Sequence, residues 1–441
     1  MPPAPHRIVI LGAGFGGMNL ALKLQKQAAR QNLRITLVNR TNYFLFSPLL
    51  HEVASSSLGA HHVVEAIREL LEKRAVHFIQ AHVTAVDLEK RIVTTDQHPL
   101  PYDTLVIATG AETNFYGIPG AQERCLDLKT LHDAVTIRHR VIDVFEQAAQ
   151  ATDAATRKRL LSFAIVGGGP TGVEMAGELI DLFTETLARF YAHDIRAKDI
   201  RLSLLTADPE LLMMFSPALR HRARQVLERR GVHISPKMVA KEITAEGIYC
   251  TDDTLIPAGT VVWAAGVKPR IPVLVPDAPR GRGGRLLVDP FFRVHKSAPP
   301  ASQDPTREAS DADLHTHSSQ DVWGNVFALG DAAGFIDTNG TPLPMLAQVA
   351  VRQASALSEN ILRSLHKQPL CAFTYHSRGQ LVSLGRFQAL AQIGPLRLSG
   401  PIAWLLWRNT YFWNFPSWNK RMKIGIDWLV NLFFPRDITR A

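Results

Sequence analysis

The chain has 441 residues, of which 46% are apolar and 20% charged, with a formal net charge of +9. That length calls for two or three domains with sizeable cores, which excludes a stapled miniprotein and a disordered chain. Cys125, Cys250 and Cys371 lie far apart with no C-x-x-C or C-x4-C pair, which excludes a disulfide framework and a redox dithiol and fits a reducing compartment.

The N-terminus reads Met1-Pro-Pro-Ala-Pro-His-Arg7 and enters at once an apolar run too short for a signal peptide. Arg7–Leu11 predicts a strand, Gly12-Ala-Gly-Phe-Gly-Gly17 a tight turn, Met18–Leu24 a helix and Arg34–Val38 a second strand. This βαβ order makes the glycine spacing meaningful. A phosphate needs backbone N–H donors at close range, glycine permits the approach, and a helix N-terminus adds a favourable dipole. Gly12, Gly14 and Gly17 have that spacing. A ribose-binding acid is expected after the second strand; Asn39 and Arg40 stand there instead. Asn39 still hydrogen-bonds ribose hydroxyls, so FAD fits this unit. Thr104–Gly110 closes it with a strand that ends in Thr109-Gly110.

The pattern then repeats. Ser162–Val166 leads into Gly167-Gly-Gly-Pro-Thr-Gly172, a helix over Val173–Phe183 and a strand over Ile200–Leu205. Gly167, Gly169 and Gly172 carry the second phosphate spacing. Thr206 follows the strand where an acid would repel a 2′-phosphate, so NADPH is an expected second donor beside NADH. Thr260–Gly266 closes this unit. Glu174 is expected on the first helical turn after the second motif, where it either positions a nicotinamide or relays a proton, or only complements the helix dipole.

Arg280-Gly-Arg-Gly-Gly-Arg285 is a basic turn without the aromatic platform of a nucleic-acid site. Residues 297–319 are rich in Pro, Ser, Asp and Ala and predict a flexible insertion, in which His315 and His317 are solvated rather than metal ligands. Val326–Leu329 predicts a strand that ends in Gly330-Asp331 ahead of a helix; alone this is a common turn, but as the fourth element of the ordered set in a two-domain flavoprotein the Asp331 carboxylate is expected to accept a hydrogen bond from a ribityl hydroxyl. The last segment, from His376 to Ala441, holds nine of the Lys and Arg residues, two acids and five of the seven tryptophans. Met422, Ile426, Leu429, Val430 and Phe433 share one helical face behind Lys420, Arg421 and Lys423. Trp and Phe among cations suit an anionic membrane interface; a homodimer contact or packing on the body is the alternative. No apolar stretch reaches transmembrane length.

Taken in order, GAGFGG, PLLHEVAS (Pro48 to Ser55), VIATG, VGGGPTGVEMAGEL, WAAGV, FALGDAA and LPMLAQVAVRQA (Leu343 to Ala354) resemble the type II NADH:quinone oxidoreductases, the non-pumping NADH dehydrogenases of respiratory chains. Gly400–Arg408, Asn419-Lys-Arg and Trp428 are similar too, so the likeness covers nearly the whole chain apart from the insertion. It implies an α/β fold with two Rossmann-like dinucleotide-binding domains, as in disulfide-reductase-like flavoproteins, plus a C-terminal amphipathic helical membrane-binding segment. The implied boundaries are 1–116 and 277–375 for the FAD domain, 117–276 for the NAD(P)H domain and 376–441 for the membrane segment. Gly12, Gly14, Gly17, Asn39, Arg40, Thr109, Gly110 and Asp331 would hold FAD. Gly167, Gly169, Gly172, Glu174 and Thr206 would hold the nicotinamide nucleotide, with Ala265 and Gly266 near the stacked rings. Ala347 and Gln348 would border the flavin and the quinone, ubiquinone or menaquinone. The family's A-Q-x-x-x-Q has Arg352 at its second Gln here, with Gln353 just after it; Arg is a permanent cation and donor only, which puts the acceptor in question. Glu174, Gln348 and Arg352 are therefore the candidate catalytic residues. The expected location is peripheral, on the cytoplasmic face of a bacterial plasma membrane, without nucleic acid. The competing readings are a related reductase with a soluble or iron–sulfur acceptor and a slow nucleotide-sensing flavoprotein. Sulfide:quinone chemistry is disfavoured, because Cys125 alone does not supply the cysteines it needs.

Overall fold

The structure is a computed structural model that describes residues 4–297, 321–337 and 340–440. His315, His317 and nearly all of the expected insertion lie outside the described residues. The elements used below run, in chain order, β1 (His6–Leu11), α1 (Phe15–Leu24), β2 (Leu33–Asn39), α2 (Leu50–Ala54), β3 (Val76–Gln80), β4 (Thr104–Ile107), β5 (Cys125–Asp127) and α3 (Leu131–Gln150). Then come β6 (Ser162–Val166), α4 (Pro170–Asp181), β7 (Arg201–Leu205), β8 (Val232–Ser235), β9 (Thr260–Trp263), β10 (Arg293–His295) and β11 (Val322–Ala328). Last are α5 (Ala347–Leu365), β12 (Gln380–Ser383), β13 (Ala389–Ile393), β14 (Leu396–Ser399), α6 (Pro401–Asn414) and α7 (Trp418–Phe433).

The chain divides into two compact units. The first is Met1–Phe44, Glu65–Glu112 and Val267–His376; the second is Leu45–Val64, Thr113–Gly266 and Ser377–Ala441. The first unit is built on a six-stranded sheet, ordered β10-β11-β4-β1-β2-β3, parallel except for β10 against β11. Ile8, Val9, Ile10 and Leu11 are all buried, the unbroken apolar run of a strand covered on both faces. Helix α5 packs along α1, and Gly16 has no room for a side chain because Leu329 and Ala350 fill the space.

The second unit repeats the idea with a five-stranded parallel sheet, β5-β9-β6-β7-β8. The duplication reaches single atoms. Gly12 N donates to Val38 O at 2.7 Å, and Gly167 N to Leu205 O at 2.8 Å. A Cβ on Gly17 would collide with the Gly12 carbonyl, and one on Gly172 with the Gly167 carbonyl. Residues from Gln380 onward add an antiparallel sheet, β12-β13-β14, with α6 packed against it, and then α7.

Two local expectations are corrected. Gly330-Asp331 does not open a helix. A 3-10 turn, Gly330–Ala332, leads into the short strand Ala333–Gly334, and the next long helix begins at Ala347. Gly330 is left-handed (φ +66°) and its N–H donates to Gln353 Oε1 at 2.7 Å, which turns the chain away from a helical path. Glu174 is not in the first turn of its helix either. Gly169 is the N-cap and Pro170 the first helical residue, so α4 starts three residues before the expected Val173 and Glu174 opens its second turn. The helix-dipole explanation of this acid therefore falls.

Candidate functional site

In each unit the three motif glycines answer to different constraints. Gly12 (φ +98°) and Gly167 (φ +123°) need left-handed freedom, and a Cβ would strike the carbonyls of Ala108 and Ala264. Gly17 and Gly172 are held bare by close helix-to-strand packing. Gly14 and Gly169 have no such reason. Both are helix N-caps with ordinary backbone, φ −74° and −77°, and nothing lies within 4 Å of a Cβ built on either. Fold alone would admit any small residue there. What the two positions share is open space before the first-turn N–H groups of a helix, the cradle a diphosphate fills.

Asn39 braces the first cradle: its Oδ1 accepts from Ala13 N at 3.0 Å and its Nδ2 donates to Thr41 O at 2.9 Å. Arg40 follows on the surface, where its carbonyl accepts from Gln80 Nε2. Thr109 donates its hydroxyl to the Arg270 carbonyl, and Gly110 O accepts from Arg270 N, which fixes the end of β4. Asp331 sits in the 3-10 turn, and Ala347 and Gln348 form the first turn of α5. Arg352 is not brought to this turn. It stacks on Tyr375 and donates to the His376 carbonyl, while Gln353, 1% exposed, holds Gly330.

In the second unit Thr206 is buried beside Gly168 and its hydroxyl accepts from Asp208 N at 3.2 Å. Ala265 and Gly266 follow β9, which lies next to β6.

Glu174 belongs to a buried charge cluster. Glu174, Glu178 and Asp181, spaced i, i+4, i+7, form one face of α4 and are all buried. Helix α2 packs on α4 and brings His51 and Glu52. Glu174 Oε1 accepts from Ser383 N at 3.2 Å and Trp407 Nε1 at 3.3 Å; its Oε2 lies 3.8 Å from His51 Nδ1. Burial pushes Glu174 up to about 8, with nearby Glu52 and Glu178 adding to it. Burial pushes His51 down to about 4. At neutral pH this pair is thus an uncharged acid beside a neutral imidazole, not an ion pair. Glu52, pushed up to about 7 by burial, accepts from Trp428 Nε1 at 2.7 Å. Glu178 is also pushed up by burial, but Arg436, His51 and the hydroxyls of Ser57 and Ser55 outweigh this and hold it below its ordinary value. Arg436 reaches Glu178 Oε2 at 2.9 Å, and Asp181 pairs with Arg230.

Residues 6–298 match the family model for pyridine nucleotide-disulphide oxidoreductases, and residues 377–437 match that for the NDH2 C-terminal domain. A type II NADH:quinone oxidoreductase of Mycobacterium tuberculosis is 31% identical, across 99% of this chain and 90% of that protein. The chain belongs to the type II NADH:quinone oxidoreductase family. An internal alternative NAD(P)H-ubiquinone oxidoreductase from Arabidopsis thaliana mitochondria is 29% identical over 98% of this chain and 85% of its own. Among solved structures, NDH2 of Plasmodium falciparum in complex with NADH superposes with a TM-score of 0.86 at 20% identity, covering 99% of this chain and all of that one. The sulfide:quinone oxidoreductase of Aquifex aeolicus shares the fold at a TM-score of 0.69 and 18% identity, covering 98% of this chain and 96% of its own.

For this family member the cluster makes a testable statement. Glu174 has a folded pKa near 8 against an ordinary 4.5. Between those values the unfolded chain holds fewer protons than the folded one, so Glu174 costs stability as pH rises through this window. Glu174→Gln is expected to match the parent near pH 4, below the ordinary carboxylate value, and to exceed it by a growing margin up to about pH 8 in urea unfolding. Equal pH slopes for the two proteins would contradict the protonated carboxyl.

Proposed function

We propose that this chain oxidises NADH with a bound FAD and reduces a quinone, without pumping protons, while docked on an anionic membrane surface. The observation that carries the nucleotide reading is the pair of N-cap glycines, Gly14 and Gly169, each bare toward open space without a folding reason. The first cradle, with Gly12, Gly17, Asn39 and Arg40, would hold the FAD diphosphate and ribose. Thr109, Gly110, Asp331, Ala347 and Gln348 would hold its other half. FAD, when bound, supplies the two-electron chemistry between NADH and quinone. Gly167, Gly169, Gly172, Thr206, Ala265 and Gly266 would hold NADH. Glu174 would keep a proton at its buried carboxyl at neutral pH, with His51 as the neutral base beside it. Arg352 would act by anchoring the segment at Tyr375–His376 rather than by touching the acceptor.

Thr206 offers no charge against a 2′-phosphate. The ratio of kcat/KM for NADH over NADPH is expected to stay within about tenfold. A ratio far above that would remove NADPH as a donor.

The membrane reading rests on α6 and α7. Ile402, Leu405, Trp413, Trp418, Ile426, Leu429 and Phe433 are all more than half exposed, while Ile424 and Trp428 face inward. The apolar stripe read from the sequence is thus the outward face of α7, with Lys420, Arg421 and Lys423 at its start. Among the described residues no helix is long and apolar enough to cross a membrane. The free cysteines, one of them exposed, suit the cytoplasmic side of a bacterial plasma membrane. Flotation with vesicles tests this. The parent should bind anionic vesicles and release in high salt, and Ile426→Asp with Phe433→Asp should cut binding at least about tenfold. Concentration-dependent dimers with no vesicle binding would assign the face to a second copy instead.

A further inference from the structure

The mouth of the second nucleotide cradle carries a residue that neither the motifs nor the charge cluster accounts for. Tyr116 is 60% exposed and left-handed, with φ +53°. Few bulky residues adopt that backbone, and they do so where neighbours impose it. Here the neighbours all come from the end of β9. Trp263 Nε1 donates to Asn114 O at 2.9 Å, Asn114 N donates to Gly266 O at 3.1 Å, and Phe115 packs its ring 5.8 Å from Trp263. Asn114 Oδ1 then accepts from Tyr116 N at 2.9 Å. The outcome is a phenol laid across the peptide that follows β9. Its hydroxyl donates to the Ala265 carbonyl at 3.4 Å, and the three atoms nearest to any Cβ built on Gly266 all belong to Tyr116.

The position of that peptide gives the phenol its meaning. In an open parallel sheet the ligand crosses the carboxyl ends of the strands where strand order reverses. In this unit that point is β6, flanked by β7 and β9. The ribose position after the glycine turn is at Thr206, on the β7 side, so the adenosine half of a dinucleotide lies there. The other half must cross Gly169 toward β9, where Ala265, Gly266 and Tyr116 stand. An exposed aromatic ring at that end is a surface on which a flat heterocycle or its ribose packs.

We propose that Tyr116 forms a wall of the nicotinamide pocket and positions the nicotinamide half of NADH. This rests on reading the second glycine turn as the NADH site. Gly266 is bare so that the ring can lie against it, and it is the ring face rather than the hydroxyl that meets the ligand. Tyr116 is a positioning residue and takes no proton or electron.

The test separates the two halves of the ligand. The FAD-loaded parent, Tyr116→Phe and Tyr116→Ala are titrated calorimetrically with NAD+ and with ADP-ribose, which lacks the nicotinamide. Tyr116→Ala should weaken NAD+ about tenfold and leave ADP-ribose unchanged, and Tyr116→Phe should stay within about twofold of the parent for both. In stopped flow, Tyr116→Ala should raise the NADH concentration needed for half-maximal flavin bleaching and leave reoxidation by quinone unaltered. Equal weakening of both ligands, or no change in either, overturns the inference while the NADH site stands. A parent that binds neither ligand overturns the site reading itself.

Discussion

Replacing Gly169 by valine is expected to give a folded, yellow protein that NADH no longer reduces at ordinary concentrations. The backbone at this N-cap, φ −77° and ψ −177°, is one that any residue adopts, and nothing within 4 Å meets a new Cβ. The fold should therefore be kept, with a loss of about 1 kcal/mol because valine caps a helix less well than glycine. The added methyl groups would stand before the first-turn N–H groups of α4, where the diphosphate must come within hydrogen-bond range. NADH affinity should fall at least about a hundredfold, roughly 2.7 kcal/mol. Fluorescence titration with NADH and a parallel count of bound FAD check both halves. Gly172→Val is not an equivalent test, because its side chain would strike the Gly167 carbonyl and disturb the fold as well. A Gly169→Val protein that binds NADH like the parent would mean that the open space is not the diphosphate cradle.

The second large effect is expected at the C-terminus. Arg436 lies beyond α7 with its side chain only 10% exposed, and it contacts Glu178 Oε2 at 2.9 Å and Asp181 Oδ2 at 3.9 Å. It also donates to the carbonyls of Ser55 and Glu178. Arg436→Ala leaves buried Glu178 without its cation and Asp181 with Arg230 alone, a loss of roughly 3–5 kcal/mol. The sign of its pH dependence follows from Glu178. In the parent its carboxyl is held below the ordinary value, so it contributes stability above that value and loses it as pH falls. Without Arg436 burial dominates, the carboxyl is pushed up, and its contribution reverses. The stability deficit of Arg436→Ala should be larger at pH 8 than at pH 5 in urea unfolding. A deficit below about 1 kcal/mol at pH 8 would contradict the buried pairing.

Both glycine turns were legible in the sequence because their geometry is local. A strand, a glycine that must turn left-handed and a helix that must pack close all fall within a dozen neighbouring residues. The buried cluster was not legible, because it is made of partners from remote stretches: His51 and Glu52 meet Glu174 and Glu178, and Trp407, Trp428 and Arg436 arrive from the far end of the chain. One signal was present. Three acids at i, i+4 and i+7 on the otherwise apolar VEMAGELID can share a face only if that face is solvated or paired, and the apolar residues around them argue for pairing. Arg352 and Gln353 show why single positions are hard to place. One residue along a helix turns the side chain by about 100°, and it is Gln353 that faces the Gly330 turn. The outward face of α7 was legible as a periodicity, while its direction needed Ile424 and Trp428 to be seen packed inward.

The most direct test of the central claim is stopped-flow absorbance of the purified yellow protein, mixed with NADH and then with a soluble ubiquinone or menaquinone analogue. The expected result is rapid bleaching of the flavin by NADH and rapid recovery of its colour on adding quinone. Bleaching without recovery by either quinone would contradict the NADH-to-quinone assignment and direct the search to a soluble acceptor.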